Sequence, residues 1–275
     1  METENSRSSG QTPGAKDPVD EVEHSMDRRT KGLIVVTGAS GGIGRATVEL
    51  FSARGWQTVA IDKRPPDLSV DAGSEVNWVQ ADLSVESEAA AAFRLAIGDS
   101  PVQHVLAIAG GAVPEERLAG RWSLPTVSGF RASLDTNLLT AYITATALIP
   151  ALQASSGDRS ITFCTSINAL AAWSYPAYSA SKGALIGLTH MLAAMLAPHG
   201  IRCNAVALGS VATQELKLTS AERHALESSI PLGRMATAED AARAFYAASV
   251  EITHFTGQVM VVDGGQEISR WALPS

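Results

Sequence analysis

The sequence predicts an α/β protein with a doubly wound, mainly parallel seven-stranded sheet and helices on both faces. Three observations predict it. Seven short apolar runs alternate with five longer helical patterns, which implies crossover units and a parallel sheet. The runs are apolar throughout rather than alternating with polar residues, as strands covered on both faces are. The chain has 275 residues, 45% of them hydrophobic and 18% charged, which suits one domain of this kind and excludes a disordered chain.

The strands are read at 33–36, 58–61, 76–80, 105–107, 160–164, 202–206 and 258–262. The helices are read at 43–54, 87–97, 128–153, 178–197 and 238–250. Thr237 followed by Asp240 reads as an N-terminal cap for the last of these. Residues 1–30 differ from the rest: seven acids stand against four bases, and Ser, Gly and Pro replace apolar residues. That composition predicts a disordered extension, with residues 31–275 as the folded domain, and its acids argue against a secretory or transit signal.

Composition excludes several functions. A net charge of −7 argues against sequence-independent nucleic-acid binding. The uncharged stretches 136–157 and 160–181 are long enough to span a bilayer, but polar residues interrupt both, so they read as buried core and no membrane role is expected. Two cysteines, Cys164 and Cys203, exclude a disulfide scaffold, suit a reducing cytoplasmic compartment, and fall in strands as core thiols. The six histidines show no metal-ligand spacing, so no metal is expected.

A doubly wound sheet holds its ligand at the carboxyl ends of its strands. The first strand runs into Thr37-Gly38-Ala39-Ser40-Gly41-Gly42-Ile43-Gly44 and then a helix. Such a turn lets backbone N–H groups and a helix N-terminus approach a pyrophosphate. Gly38 suits the tight turn, Gly42 the close approach and Gly44 the packing of helix on sheet. Eighteen residues after Gly44, the second strand ends at Asp62. A carboxylate there accepts from ribose hydroxyls and repels a 2′-phosphate, which favours NAD over NADP, although Lys63 and Arg64 blunt the repulsion. Asp82-Leu83 follows the third strand and suits an adenine contact, though Asp82 equally suits a helix cap. Ala109-Gly110 after the fourth strand leaves room for a ligand.

Tyr178 and Lys182 stand four apart near a helix start and so share a face. A phenol titrates near 10 in water, and a neighbouring ammonium lowers that value, so the pair suits general acid/base work on an alcohol or ketone. Ser166 ends the fifth strand, where its hydroxyl can bind the substrate oxygen.

These residues together resemble the short-chain dehydrogenase/reductase family over residues 31–266. The matching positions are the glycine loop, Asp62, the ordered set Asn137, Ser166, Tyr178 and Lys182, and Gly257 with Val261-Val262-Asp263-Gly264-Gly265. The resemblance implies a single-domain Rossmann fold. It implies an NAD(P)-dependent oxidoreductase, NAD favoured, that interconverts a secondary alcohol and a ketone. Tyr178 would be the acid/base, Ser166 the orienting hydroxyl, Lys182 a ligand of the nicotinamide ribose, and Asn137 the holder of a water beside Lys182. Ser40, Gly41, Gly42, Ile43, Asp62, Asp82, Leu83, Ala109, Gly110, Val211 and Thr213 would contact the cofactor. Ala107-Ile108 and Leu208 depart from the family's Asn-Asn and Pro.

Trp122, Leu170, Trp173, Leu208, Leu216 and Leu218 predict an apolar pocket for a small, largely apolar or cyclic substrate, and 209–234 reads as a lid. The helix over 184–197 is apolar almost all round, which predicts burial on more than one side and a homo-oligomer, by resemblance a tetramer. Two rival functions are a catalytically weak redox sensor of the same fold and a sugar-nucleotide epimerase. Intact Ser166, Tyr178 and Lys182 argue against the first. Too few residues follow the sixth strand to form the substrate domain of the second.

Overall fold

The computed structural model describes residues 31–65, 76–120, 122–171 and 173–271. The extension expected over 1–30 lies outside them. The first strand, β1 (Leu33–Thr37), is buried on both faces: Ile34 and Val36 point into one apolar layer and Val35 into the other. It leads to α1 (Gly42–Ala53), β2 (Gln57–Asp62), β3 (Val76–Gln80), α2 (Glu86–Ile97) and β4 (His104–Ala107). A short helix, α3 (Pro114–Ala119), precedes α4 (Val127–Leu134) and α5 (Thr140–Ala154). Then come β5 (Arg159–Ser166), the long α6 (Pro176–Leu196) and β6 (Ile201–Leu208). The chain closes through β7 (Val211–Ala212), α7 (Ser220–Ser228), β8 (Ala236–Thr237), α8 (Ala238–Tyr246) and β9 (Val259–Val262).

Seven strands form one sheet in the order β3-β2-β1-β4-β5-β6-β9, and every pairing is parallel. The order reverses at β1 and β4, which opens a crevice at their carboxyl ends. One face is covered by α2, α5 and α6, whose Phe93, Leu148, Leu152, Leu185 and Leu196 are buried. The other is covered by α1 and α8 through Val48, Phe51, Ala241 and Phe245. This is the Rossmann architecture expected from the sequence.

The differences have physical reasons. The helix expected over 128–153 exists, but Asp135–Leu139 is wound as a π turn between α4 and α5, and Asn137 is buried in it. The final helix likewise passes into a π turn at Ala247–Glu251. Pro176 sits in the first turn of α6, where its missing N–H costs nothing, so that helix starts two residues before the expected point. The short α3 and the exposed α7 were not expected, because neither carries a full apolar stripe. The β7–β8 ladder pairs only two residues a side, too short for a periodic signal.

Pro176–His199 is long and apolar enough to cross a membrane, yet 39% of its apolar window is buried within the fold. Its other face stays open: Met191 and Met195 are each 61% exposed. Burial on several sides is thus not achieved within one chain. His104 is a core histidine whose Nδ1 lies 2.9 Å from the Ser160 hydroxyl. Burial pushes its pKa down to about 4, against a smaller opposing pull from Asp158.

Candidate active site

A cleft of ≈ 530 Å³ opens at the carboxyl ends of β1, β2 and β4. Its floor is the glycine loop. Gly38 has φ +70°, and a Cβ there would stand 2.7 Å from the Ala109 Cα. At Gly42 a Cβ would meet Thr213, and at Gly44 it would run into the Gly38 carbonyl. The close packing at Gly44 is therefore within the loop itself rather than between helix and sheet. Helix α1 begins with no side-chain cap and no acid in its first turn. Its N–H groups are left for an anion, as a pyrophosphate requires.

Gly38, Gly41, Gly42, Ile43, Asp62, Asp82, Leu83, Ala109, Gly110, Tyr178, Lys182 and Thr213 all line this cleft. Ser40 and Val211 do not. The Ser40 N–H donates to Asp62 Oδ2 at 3.0 Å, so Ser40 braces the acid from behind. Val211 is buried in the short ladder with β8. The Arg64 N–H donates to Asp62 Oδ1 at 2.9 Å. The Arg64 side chain reaches across to Glu215 at 3.4 Å, a contact between residues 151 apart in the chain. Asp82 Oδ1 accepts from the Ser84 N–H and hydroxyl, closing a turn ahead of α2 rather than capping it.

At the deep end, β5 delivers Ser166 and α6 delivers Tyr178 and Lys182. The Ser166 hydroxyl is a near neighbour of the Tyr178 phenol and favours its ionised form. Lys182 is buried, donates from Nζ to the Cys164 carbonyl at 2.7 Å, and stands 5.7 Å from the centre of the Tyr178 ring. Gly110 admits this pair of neighbours: a Cβ there would lie 2.5 Å from Asn137 Oδ1 and 3.1 Å from Lys182 Nζ. The Asn137 amide is fully engaged, accepting from the Gly111 N–H and donating to the carbonyls of Gly111 and Ser133. It bolts the π turn to the loop after β4.

The expected lowering of the Tyr178 pKa is not found. Burial pushes the phenol well above its ordinary value, and Cys164 and Glu116 push the same way. The neighbouring Ser166 hydroxyl and the charge of Arg117 pull it back only in part. Burial also lowers the Lys182 ammonium. Both shifts have one main cause: withdrawal from water favours the neutral form of each group.

Glu116 was missed from the sequence. It is 2% exposed, and its Oε1 accepts from the N–H groups of Ala177 and Tyr178, each at 3.0 Å. Helix α6 has no cap of its own, because Tyr175 at its start is left-handed with φ 55°. A carboxylate from 62 residues away in sequence thus caps the helix at the residue that carries the phenol. Its Oε2 is buried with no hydrogen-bond partner among the described residues. Only the unusual pair of acids after Pro114 hinted at this.

On the far side of Ser166 lies a second cavity of ≈ 90 Å³, lined by Ser166, Ile167, Asn168, Trp173, Ser174, Gly209, Ser210 and Gln266. The expected apolar lining is met only at Trp173. Trp122 is 70% exposed on the surface, Leu170 is partly exposed, and Leu216 and Leu218 are half-buried elsewhere. Leu208 is core, paired with Val262 at the end of β6. Ala107 and Ile108 are likewise buried apolar residues, so these departures from the family pattern extend the core. Among the described residues no cluster of His, Cys, Asp and Glu could hold a metal.

A parallel sheet with this switch point, an uncapped glycine loop and a Ser–Tyr–Lys cluster defines an oxidoreductase built around a nicotinamide dinucleotide. The chain belongs to the short-chain dehydrogenase/reductase family, whose members use NAD(P). The family model described as Enoyl-(Acyl carrier protein) reductase matches residues 38–267. The chain is 33% identical to Protein FixR of Bradyrhizobium diazoefficiens over 261 residues, covering 91% of this chain and 92% of that one. It is 30% identical to Probable galactose dehydrogenase GalD of Rhizobium meliloti over 251 residues, covering 87% and 96%. A crystal structure of a short-chain oxidoreductase from Burkholderia thailandensis superposes with a TM-score of 0.75 at 31% identity, covering 86% and 93%.

Proposed function

We propose that this protein is an NAD-dependent dehydrogenase/reductase that interconverts a secondary alcohol and a ketone on a small cyclic substrate. The observation that carries the reading is the grouping of the Ser166 and Tyr178 hydroxyls with Lys182. One hydroxyl lines the small cavity and the other the large cleft, with Lys182 buried behind. The glycine loop, the free N-terminus of α1 and Asp62 fit a dinucleotide, which supplies the hydride acceptor or donor when bound. Tyr178 Oη takes the alcohol proton in oxidation and returns it in reduction. Ser166 holds the substrate oxygen next to that phenol. Lys182, anchored on the Cys164 carbonyl, offers its remaining hydrogens to the cleft. Asp62 supports NAD, and Arg64 beside it offsets part of the repulsion of a 2′-phosphate.

Residues 31–275 act as the catalytic unit, in the cytoplasm, where Cys164 and Cys203 remain buried thiols. The open face of α6 with Met191 and Met195 supports a homotetramer, whose mass light scattering at micromolar concentration would report. The direct test of the activity is a panel of cyclic alcohols and ketones followed by NADH absorbance, with NAD and NADP compared. Turnover of at least one such pair is expected, and none with either cofactor overturns the reading.

A further inference from the structure

The rim of the large cleft carries an acid directly over its anion-binding floor. After β7 the chain makes a tight turn, in which the Leu216 N–H donates to the Thr213 carbonyl at 3.1 Å. This turn comes down on the glycine loop: a Cβ on Gly42 would stand 2.8 Å from the Thr213 Cβ and 3.4 Å from Glu215 Oε2. A Cβ on the preceding Gly41 would stand 3.3 Å from a guanidinium nitrogen of Arg64. Glu215 Oε1 and Arg64 Nη1 lie 3.4 Å apart, so the two side chains meet above residues 41 and 42. Asp62 Oδ1 stands 3.5 Å from Arg64 Nε, and one cation thus links two acids across the mouth of the cleft.

Residues 41 and 42 are where α1 begins. The Arg45 N–H donates to the Gly41 carbonyl at 2.8 Å and closes the first helical turn. The N–H groups before it point out of the helix end, where negative charge is favoured. The Glu215 carboxylate stands close to this end but is bonded to Arg64. It keeps its charge there. Burial works against ionisation, but its own backbone N–H, the neighbouring Thr213 hydroxyl and Arg64 together hold it below the ordinary carboxylate range. A phosphate taken up by the same N–H groups would lie beside this carboxylate, and like charges that close repel even where solvent screens them. The Glu215 side chain is 41% exposed, so it has room to swing out toward solvent.

We propose that Glu215 is a built-in competitor of the cofactor's diphosphate: held over Gly42 by Arg64, its carboxylate must move aside before a dinucleotide seats on the N-terminus of α1. Glu215 thereby lowers the affinity of the protein for its own cofactor. The inference rests on the dinucleotide reading of the cleft and not on the alcohol–ketone chemistry. The competition is between two anions for one place, so it acts only on ligands that bring a phosphate there. An adenosine without phosphate does not meet it.

The test is binding by the full chain, read by calorimetry, with NADH, ADP and adenosine as ligands. ADP carries the diphosphate without the nicotinamide, and adenosine carries neither. Glu215→Gln keeps the size of the side chain and removes its charge. Its affinity for NADH and for ADP is expected to rise about fivefold, the scale of one partly screened like charge, while its affinity for adenosine stays that of the wild type. Should Glu215→Gln fail to fold, Glu215→Ala is read in the same way. Glu251→Gln is the control for net charge: Glu251 pairs with Arg54 at 3.3 Å, at the other end of α1, and its loss should move none of the three affinities. Unchanged or weaker ADP binding in the Glu215 variant, an equal gain for adenosine, or an equal gain in Glu251→Gln overturns the competition. Binding of neither NADH nor ADP by any form overturns it together with the dinucleotide reading. The expected gains in a protein that turns over no alcohol leave the competition standing and count only against the alcohol–ketone reading.

Discussion

The two sides of the Ser166–Tyr178 pair are constructed on different principles. The cofactor side is made of consecutive residues and strand ends. Residues 38–44 form its floor, Asp62 ends β2, and Asp82 and Ala109 each stand two residues past the end of a strand. The substrate side is assembled from the turn after β5, the residues before α6, the loop after β6 and the turn after β9. Backbone geometry governs the first side and side-chain packing the second. The first side is therefore the more intolerant of added atoms, and the second the more open to change by substitution.

The pair between the two sides gives the largest expected effect. Tyr178→Phe removes the only described hydroxyl placed to carry the proton, and turnover should fall by about 10²–10⁴-fold. NADH binding, followed by fluorescence, should persist. The wild-type pH profile follows from the direction of the Tyr178 shift. Burial favours the neutral phenol, so the phenolate fraction at neutral pH is small and grows as pH rises. Oxidation should climb with pH into the alkaline range. Reduction, which uses the phenol, should stay level across neutrality. An oxidation rate that peaks below pH 7 contradicts the assigned role.

Gly44→Ala probes the cofactor side alone. Its Cβ would collide with the backbone carbonyl of Gly38, which cannot turn aside as a flexible side chain would. A loss of about 1–3 kcal/mol in stability, by urea unfolding, and weaker NADH binding are expected. An unchanged variant would mean that the loop is looser than its contacts indicate.

What could be read from the sequence follows the same division. The seven strands, their parallel order and the cofactor cleft all arise from local patterns: apolar runs, glycines at fixed offsets and residues just past strand ends. The pattern at Asn137 marked the residue but not the π turn around it, since a one-residue change of winding has no periodic signature. Glu116 and Glu215 went unnoticed because each acts across a long separation on groups that only folding brings near. The apolar lining expected from Trp122 and Leu216 failed for the same reason: apolar residues in a loop do not say which way they face.

Glu116 links the two sides, and two variants separate its functions. Glu116→Ala leaves the Ala177 and Tyr178 N–H groups without an acceptor. It should cost about 1–2 kcal/mol of stability and lower turnover by loosening the helix start. Glu116→Gln keeps an acceptor oxygen, removes the charge, and should restore most of that loss. The carboxylate is one of the groups that raise the Tyr178 pKa, so its removal lowers that pKa. The oxidation profile of Glu116→Gln should then move to lower pH. A profile that moves upward, or does not move, would leave Glu116 only its capping role.

The smallest expected effect lies at Asp62, where two influences nearly balance. Its carboxylate accepts from the N–H groups of Ser40 and Arg64, and the Arg64 side chain stands 3.5 Å away. In the proposed reading the acid repels a 2′-phosphate, and the guanidinium beside it reduces that repulsion. Asp62→Ala removes the repulsion and releases Arg64 to meet the phosphate, while NAD loses an acceptor for its ribose hydroxyls. The ratio of kcat/KM for NAD to that for NADP should fall by about tenfold, equivalent to about 1.4 kcal/mol. Adding Arg64→Ala should reverse the gain with NADP while changing NAD little, because only the phosphate needs the cation. If the double variant keeps the gain, Lys63 rather than Arg64 is the residue that meets the phosphate.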